Sequence, residues 1–145
     1  MSKQRKEWLS TLAKAKAMDV ARLFAGIRHV PEYETLRVPE IGGVMVRGRM
    51  GGIGDAFNLG EVTVTRCSVQ LETGEVGHGC VQGRNRGHAE QVAVLDAMLQ
   101  GDRKGDLTKT VIVPLMEIAL AEKETRAKKA AATKVDFFTL ARGED

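Results

Sequence analysis

The stretch EVTVTRCSVQLETGEVGHGCVQGRNRGHAEQVAVLDAML, Glu61–Leu99, carries the reading of the fold. Glu61–Leu71 alternates apolar and polar residues with the period of a half-buried strand. Its phase slips between Arg66 and Cys67: Val62 and Val64 fall on one parity, Cys67, Val69 and Leu71 on the other. A β-bulge near Arg66 reconciles the two halves and would re-aim that arginine. Thr73-Gly74 reads as a tight hairpin turn into a second strand, Val76–Arg84. A glycine turn with two arginines then runs into a helix, Gly87–Leu99, in which Ala89, Val92, Ala93, Leu95 and Leu99 make a broad apolar face. A helix N-terminus offers unpaired backbone N–H groups and a partial positive charge, so Arg84, Arg86 and His88 form a candidate anion site there.

The hairpin also fixes the two cysteines. A two-residue loop at Thr73-Gly74 sets Cys67 opposite Cys80 at a non-hydrogen-bonded position, where Cα atoms approach to about 4.5 Å. That separation sits at the edge of disulfide geometry. In a reducing cytoplasm two buried thiols are the expectation. A three-residue loop would shift the register by one and part them. In the two-residue register His78 shares the Val69 and Leu71 face and reads as packing.

Outward toward the N-terminus, Lys3–Lys16 reads as a helix with Trp8, Leu9 and Leu12 on one face. Asp19 is placed to cap a second helix through Ile27, carrying Val20, Leu23, Phe24 and Ile27, which Pro31 ends. Glu34–Val38 and Gly43–Met50 read as strands, the second with Val44, Val46 and Met50 on one face and Met45, Arg47 and Arg49 on the other. Gly51–Gly60 holds four glycines in ten residues and reads as a loop. Toward the C-terminus, Gly101–Gly105 breaks the Gly87–Leu99 helix and Thr110–Val113 is β-branched and strand-like before Pro114. Leu115–Thr133 reads as a long polar-faced helix, and Val135–Leu140 as a short extended ending. The fold class is α+β: a mostly antiparallel sheet with a hairpin, N-terminal helices and two later helices, one domain over residues 1–145.

Composition narrows the function classes. The 145 residues are 43% hydrophobic and 28% charged, ordinary for a globular chain with a core of its own. The first helix is interrupted by lysines and no long apolar run follows, so neither a signal peptide nor a membrane span is expected, and a cytoplasmic location is the default. The formal charge is +3, but the lysines gather at the two ends and aromatics make up only 4%. Single-strand binders interleave stacking rings with their cations, so nucleic-acid binding is not expected.

The chemistry-bearing residues are few. His88-Ala89-Glu90 opening a helix resembles the start of the zinc deaminase signature, but the later Pro-Cys-x-x-Cys is missing, since Cys67 and Cys80 are the only cysteines. His29, His78 and His88 are scattered, so no metal site is expected. The Gly-Gly-x-Gly at Gly51, Gly52 and Gly54 lacks a nucleotide fingerprint's full spacing and a Walker lysine. No nucleophile–base pair and no catalytic residue stand out. His88 is either a turn residue satisfying a carbonyl or a ligand contact; Arg84 and Arg86 either shape a surface turn or clamp a phosphate. Phe137-Phe138 either caps the chain's own core or anchors a partner.

Several separate segments taken together resemble the PhnG family, a subunit of the bacterial carbon–phosphorus lyase core complex. They are the Arg49–Gly54 turn, Leu59–Leu71 with its Thr65-Arg66 pair, and Val81-Gln82-Gly83-Arg84. His88-Ala89-Glu90, Asp96-Ala97, Pro114-Leu115 and Val135–Thr139 with Arg142-Gly143 complete the set. The chain departs from the pattern at Ile53 and Cys67. The resemblance implies an accessory subunit working with H, I and J subunits in phosphonate use. There an alkylphosphonate displaces adenine from ATP to give ribose 1-methylphosphonate 5-triphosphate. It assigns the nucleosidase role to the I subunit and the radical iron–sulfur chemistry to the J subunit. No cofactor is then expected in this chain, whose two cysteines are too few for a cluster. The substrate is polyanionic, which makes Arg49, Gly51, Gly52, Arg66, Arg84, Arg86 and His88 candidates for holding it, and Phe137 and Phe138 candidates for an interface. The other classes left open are a stand-alone phosphate- or nucleotide-binding module and a pure scaffold whose arginines meet only protein.

Overall fold

The computed structural model describes residues 1–142; Gly143 of the Arg142-Gly143 pair lies outside them. Its elements are α1 (Lys3–Lys14), α2 (Ala17–Ala25), β1 (Tyr33–Arg49), β2 (Ala56–Leu71), β3 (Val76–Gln82), α3 (Arg86–Met98), α4 (Lys104–Leu107) and α5 (Val113–Arg142). The strands form one antiparallel sheet in the order β1-β2-β3, so the class is α+β. Helices cover one face only: α3 packs across β2 and β3, with α1 and α2 beside it.

The core is built from two periodicities that meet. Along β2 the inward positions are Thr65, Cys67, Val69 and Leu71; along β3 they are Gly77, Gly79 and Val81. Helix α3 answers with an unbroken buried run from Val92 to Leu99. Gly77 and Gly79 let it approach: a Cβ on either would collide with the backbone of α3 at Ala93 or Ala89. Close helix–strand contact is what a chain this short needs to exclude water.

A carboxylate ties the layers together. Asp96 is fully buried. Its Oδ1 accepts from Trp8 Nε1 at 2.8 Å and Arg5 Nε at 3.1 Å, and its Oδ2 from Arg5 Nη2 at 2.8 Å and the His78 backbone N–H at 2.9 Å. The hydrogen bond and the charge of Asp96 hold the Arg5 guanidinium above its ordinary pKa. One side chain thus fastens α1 and β3 to α3, and no lone pair of this buried anion lacks a donor's direction.

The structure corrects several expectations. Leu71 N–H donates to Glu75 O and Gly74 N–H to Leu71 O, both at 2.9 Å, so the hairpin loop has three residues, with Gly74 at φ 105°. The register therefore shifts by one: Cys67 faces Gly79 and Cys80 faces Arg66. The thiols lie on opposite faces, Cys67 buried and Cys80 exposed, and both are free. His78 lies on the open face, its Nδ1 2.8 Å from Ser68 Oγ, rather than in the core. No bulge lies in β2 at Arg66; the buried Thr65 continues the Cys67 face, and Val62 and Val64 lie on the other. The irregularities lie elsewhere: β1 shifts register between Thr35 and Arg37 and again before Glu40, around Pro39, and β2 carries an unpaired Leu59 between the Val46–Gly60 and Arg47–Asn58 pairs.

Glu34–Val38 and Gly43–Met50 are parts of one strand, and the supposed Gly51–Gly60 loop is short, since β2 already begins at Ala56. Both faces of that distal hairpin are largely exposed. Asp19 sits in the first turn of α2, which is flanked by Lys16, instead of capping it. Thr110–Val113 is not a strand. Leu107, Val111 and Leu115 are buried at helical spacing, and a π turn over Thr108–Ile112, with Val113 N–H bonded to Thr108 O, accommodates Pro114. Val135–Leu140 is helical too, because no glycine or proline interrupts α5 between Pro114 and Arg142.

Candidate anion-binding site

The bulged part of β1 brings arginines together that are far apart in sequence. Pro39 cannot donate a ladder hydrogen bond, so β1 gains an extra residue opposite Cys67. In the resulting register Arg37 pairs with Ser68 and Glu40 with Arg66. Arg37, Arg66 and Arg86, with Glu40, Gly42 and Gly43, line a concavity of about 470 Å³ where β3 ends and α3 begins. Arg37 Nε lies 3.9 Å from Glu40 Oε2, a loose and solvent-exposed pair. No ion pair holds Arg66 or Arg86 among the described residues. Three guanidinium groups on the lining of one hollow offer the paired N–H donors that phosphate or phosphonate oxygens accept from.

Of the residues the sequence singled out, the fold brings Arg66 and Arg86 to this hollow. Arg84 is exposed in the turn between β3 and α3 and does not line it. His88 turns inward: it is 7% exposed, and its Nε2 donates to the Leu12 carbonyl at 3.0 Å. That contact ties α3 to the end of α1. The N-terminus of α3 is capped by Asn85, whose Oδ1 accepts from the His88 backbone N–H at 2.9 Å. Arg49, Gly51 and Gly52 lie at the tip of the β1–β2 hairpin, about 30 Å along the strand from Arg66. Phe137 and Phe138 pack edge to face at 6.1 Å on the distal part of α5, both exposed.

Arg37 is the residue that sequence reading missed. Its signal was Pro39, which in a strand marks a bulge or an edge and so re-aims its neighbours. Also unforeseen was Glu90, one turn beyond Arg86, which accepts from the Tyr33 hydroxyl at 2.8 Å. Burial, then that hydrogen bond and the Glu90 charge, push the Tyr33 phenol up to about 12. Burial and Glu90 also raise the Cys67 thiol, which leaves it protonated and inert at neutral pH. The Ser68–His78 pair on the open face has no acidic side chain bonded to its other ring nitrogen among the described residues. No three His, Cys, Asp or Glu side chains converge there as metal ligands.

Comparison with known proteins supplies the identity that the site alone does not. A family model described as "Phosphonate metabolism protein PhnG" matches residues 3–143. The alpha-D-ribose 1-methylphosphonate 5-triphosphate synthase subunit PhnG of Rhizobium meliloti (strain 1021) is 42% identical over 142 residues, covering 98% of this chain and 91% of that protein. With both matches running almost end to end, the chain belongs to the PhnG family of phosphonate metabolism proteins.

Proposed function

We propose that this chain is an accessory subunit of a ribose 1-methylphosphonate 5-triphosphate synthase, working with H, I and J partner subunits. The assembly would displace adenine from ATP with an alkylphosphonate. The observation that carries this reading is the amount of apolar side chain the fold leaves uncovered on two projections. The distal β1–β2 hairpin exposes Met45, Met50, Ile53, Phe57 and Leu59, and the far part of α5 exposes Val135, Phe137, Phe138 and Leu140. Large uncovered apolar surfaces on a soluble chain mark protein contacts. The relative from Rhizobium meliloti is itself a synthase subunit.

Within that assembly the Arg37, Arg66 and Arg86 hollow is the place on this chain best suited to a phosphate or phosphonate group. The arginines would position charge, while bond making and breaking fall to other subunits. Replacing Arg66 and Arg86 together by Ala in the co-expressed complex is expected to lower adenine release from ATP and methylphosphonate by about tenfold or more, since each charge-assisted bond contributes about 1.5–3 kcal/mol. Arg84→Ala, outside the hollow, is the matched control. Unchanged adenine release by an intact complex carrying both substitutions would contradict the anion role and leave a scaffold.

A further inference from the structure

The bulge at Pro39 carries into the arginine hollow a carboxylate that a regular strand would turn away. Residues three apart on a strand point to opposite faces. Across the bulge, however, Arg37 pairs with Ser68 and Glu40 with Arg66, and those two partners are only two residues apart on β2. Glu40 therefore comes to the side of Arg37, and both line the hollow. Of the four charged residues on that lining, Arg37, Glu40, Arg66 and Arg86, Glu40 is the one anion. Its loose pair with Arg37, at 3.9 Å, is the one side-chain tie it makes among the described residues, and its side chain is 65% exposed. Gly42, two residues on and also on the lining, leaves room beside it: a Cβ there would meet no atom within 4 Å. The carboxylate is thus free to move, with a place to move to.

We propose that Glu40 is a built-in competitor for the anion: its carboxylate sits against the arginines of the empty hollow and swings out to solvent when a phosphate or phosphonate group enters. This rests on the reading of the hollow as an anion site and adds how its affinity is set. With the carboxylate turned in, the hollow is closed to another anion; turned out, it is open. The apparent dissociation constant is then the intrinsic one divided by the open fraction. An ion pair this exposed is weak, so the closed form lowers affinity by about two- to fivefold and does not abolish binding. A departing anion is replaced at once by the carboxylate, which suits a site that exchanges its ligand quickly over one that stores it. The competitor exists because of the bulge: in an unbroken strand Glu40 would lie on the face opposite Arg37.

The test titrates the full-length chain with inorganic phosphate and with dimethyl phosphate at about pH 8.5, where the first is a dianion and the second a monoanion. Binding is followed by nuclear magnetic resonance of the arginine Nε–H groups. Glu40→Gln is expected to tighten both ligands by the same factor, about two- to fivefold, with an unchanged urea midpoint. Arg66→Ala is expected to weaken both by about tenfold or more, which locates the binding in the hollow. Unchanged or weaker affinity in Glu40→Gln, beside binding that still depends on Arg66, would overturn the competitor and leave the anion site standing. A larger gain for the dianion than for the monoanion would overturn the displacement, because a carboxylate that stays in place repels two charges more than one. Absence of any Arg66-dependent binding would overturn the anion site and the competitor with it.

Discussion

The helix-backed half of the sheet and the two projections that leave it are made of similar residues and obey different rules. Around β3 and α3 every inward position has a partner: Cys67, Val69 and Val81 meet Val92–Leu99, and Asp96 collects donors from Arg5, Trp8 and His78. Along the distal β1–β2 hairpin, Val46, Phe57 and Leu59 are just as apolar, but no helix covers them and all three are exposed. The first region owes its stability to its own contacts. The second is held by the backbone hydrogen bonds of its ladder and leaves its apolar side chains uncovered.

That contrast predicts sharply unequal responses to substitution. Asp96→Ala removes the acceptor shared by the half-buried Arg5 cation, the buried Trp8 indole N–H and the His78 backbone N–H, and should cost about 3–5 kcal/mol, read as a lower urea midpoint. Gly79→Ala drives a methyl group into the α3 backbone at Ala89 and should cost about 1–3 kcal/mol, or more if α3 cannot shift. Leu59→Ser, on the exposed hairpin, should change the stability of the isolated chain by less than about 0.5 kcal/mol while weakening its recovery with partner subunits. A large loss of stability in Leu59→Ser would erase the distinction between the two regions.

The smallest effect lies where β1 meets α3. Tyr33 is the single tyrosine, so its phenolate absorbance is unambiguous. Its titration midpoint should lie near 12 against an ordinary 10.0, and Glu90→Gln should lower it only part of the way, because burial is the larger cause. A raised phenol stabilises the fold fully below its unfolded value and loses that contribution as pH rises from about 10 toward 12. Tyr33 is 38% exposed, so solvent screening keeps the stability change modest. A midpoint at the ordinary value would mean that the Tyr33–Glu90 contact does not hold β1 against α3.

The same division decided how much could be read in the sequence. Helix α3 was legible because Ala89, Val92, Ala93, Leu95 and Leu99 repeat at the helical period and their partners lie in the same chain. The hairpin was legible as a hairpin, but Thr73-Gly74 fits a two-residue or a three-residue loop equally well. That single residue of ambiguity reverses which face Cys80 and His78 take. Thr110–Val113 misled because local β preference yields to burial: Leu107, Val111 and Leu115 had the helical spacing all along. Among the candidate ligands, Arg66 and Arg86 meet at one hollow because β2 pairs with β3, which leads into α3, and Arg37 joins them where Pro39 distorts β1. His88 stood out by its place at a helix start, and the turn of its ring toward Leu12 depends on where α1 ends.

The most direct test is amide hydrogen exchange over residues 44–60, in the free chain and in the chain co-purified with the H, I and J subunits proposed above as its partners. The account predicts fast exchange along this hairpin in the free chain, beside slow exchange over Val92–Leu99, and strong protection of the hairpin once assembled. A complex of verified mass in which the hairpin still exchanges as fast as in the free chain would contradict it.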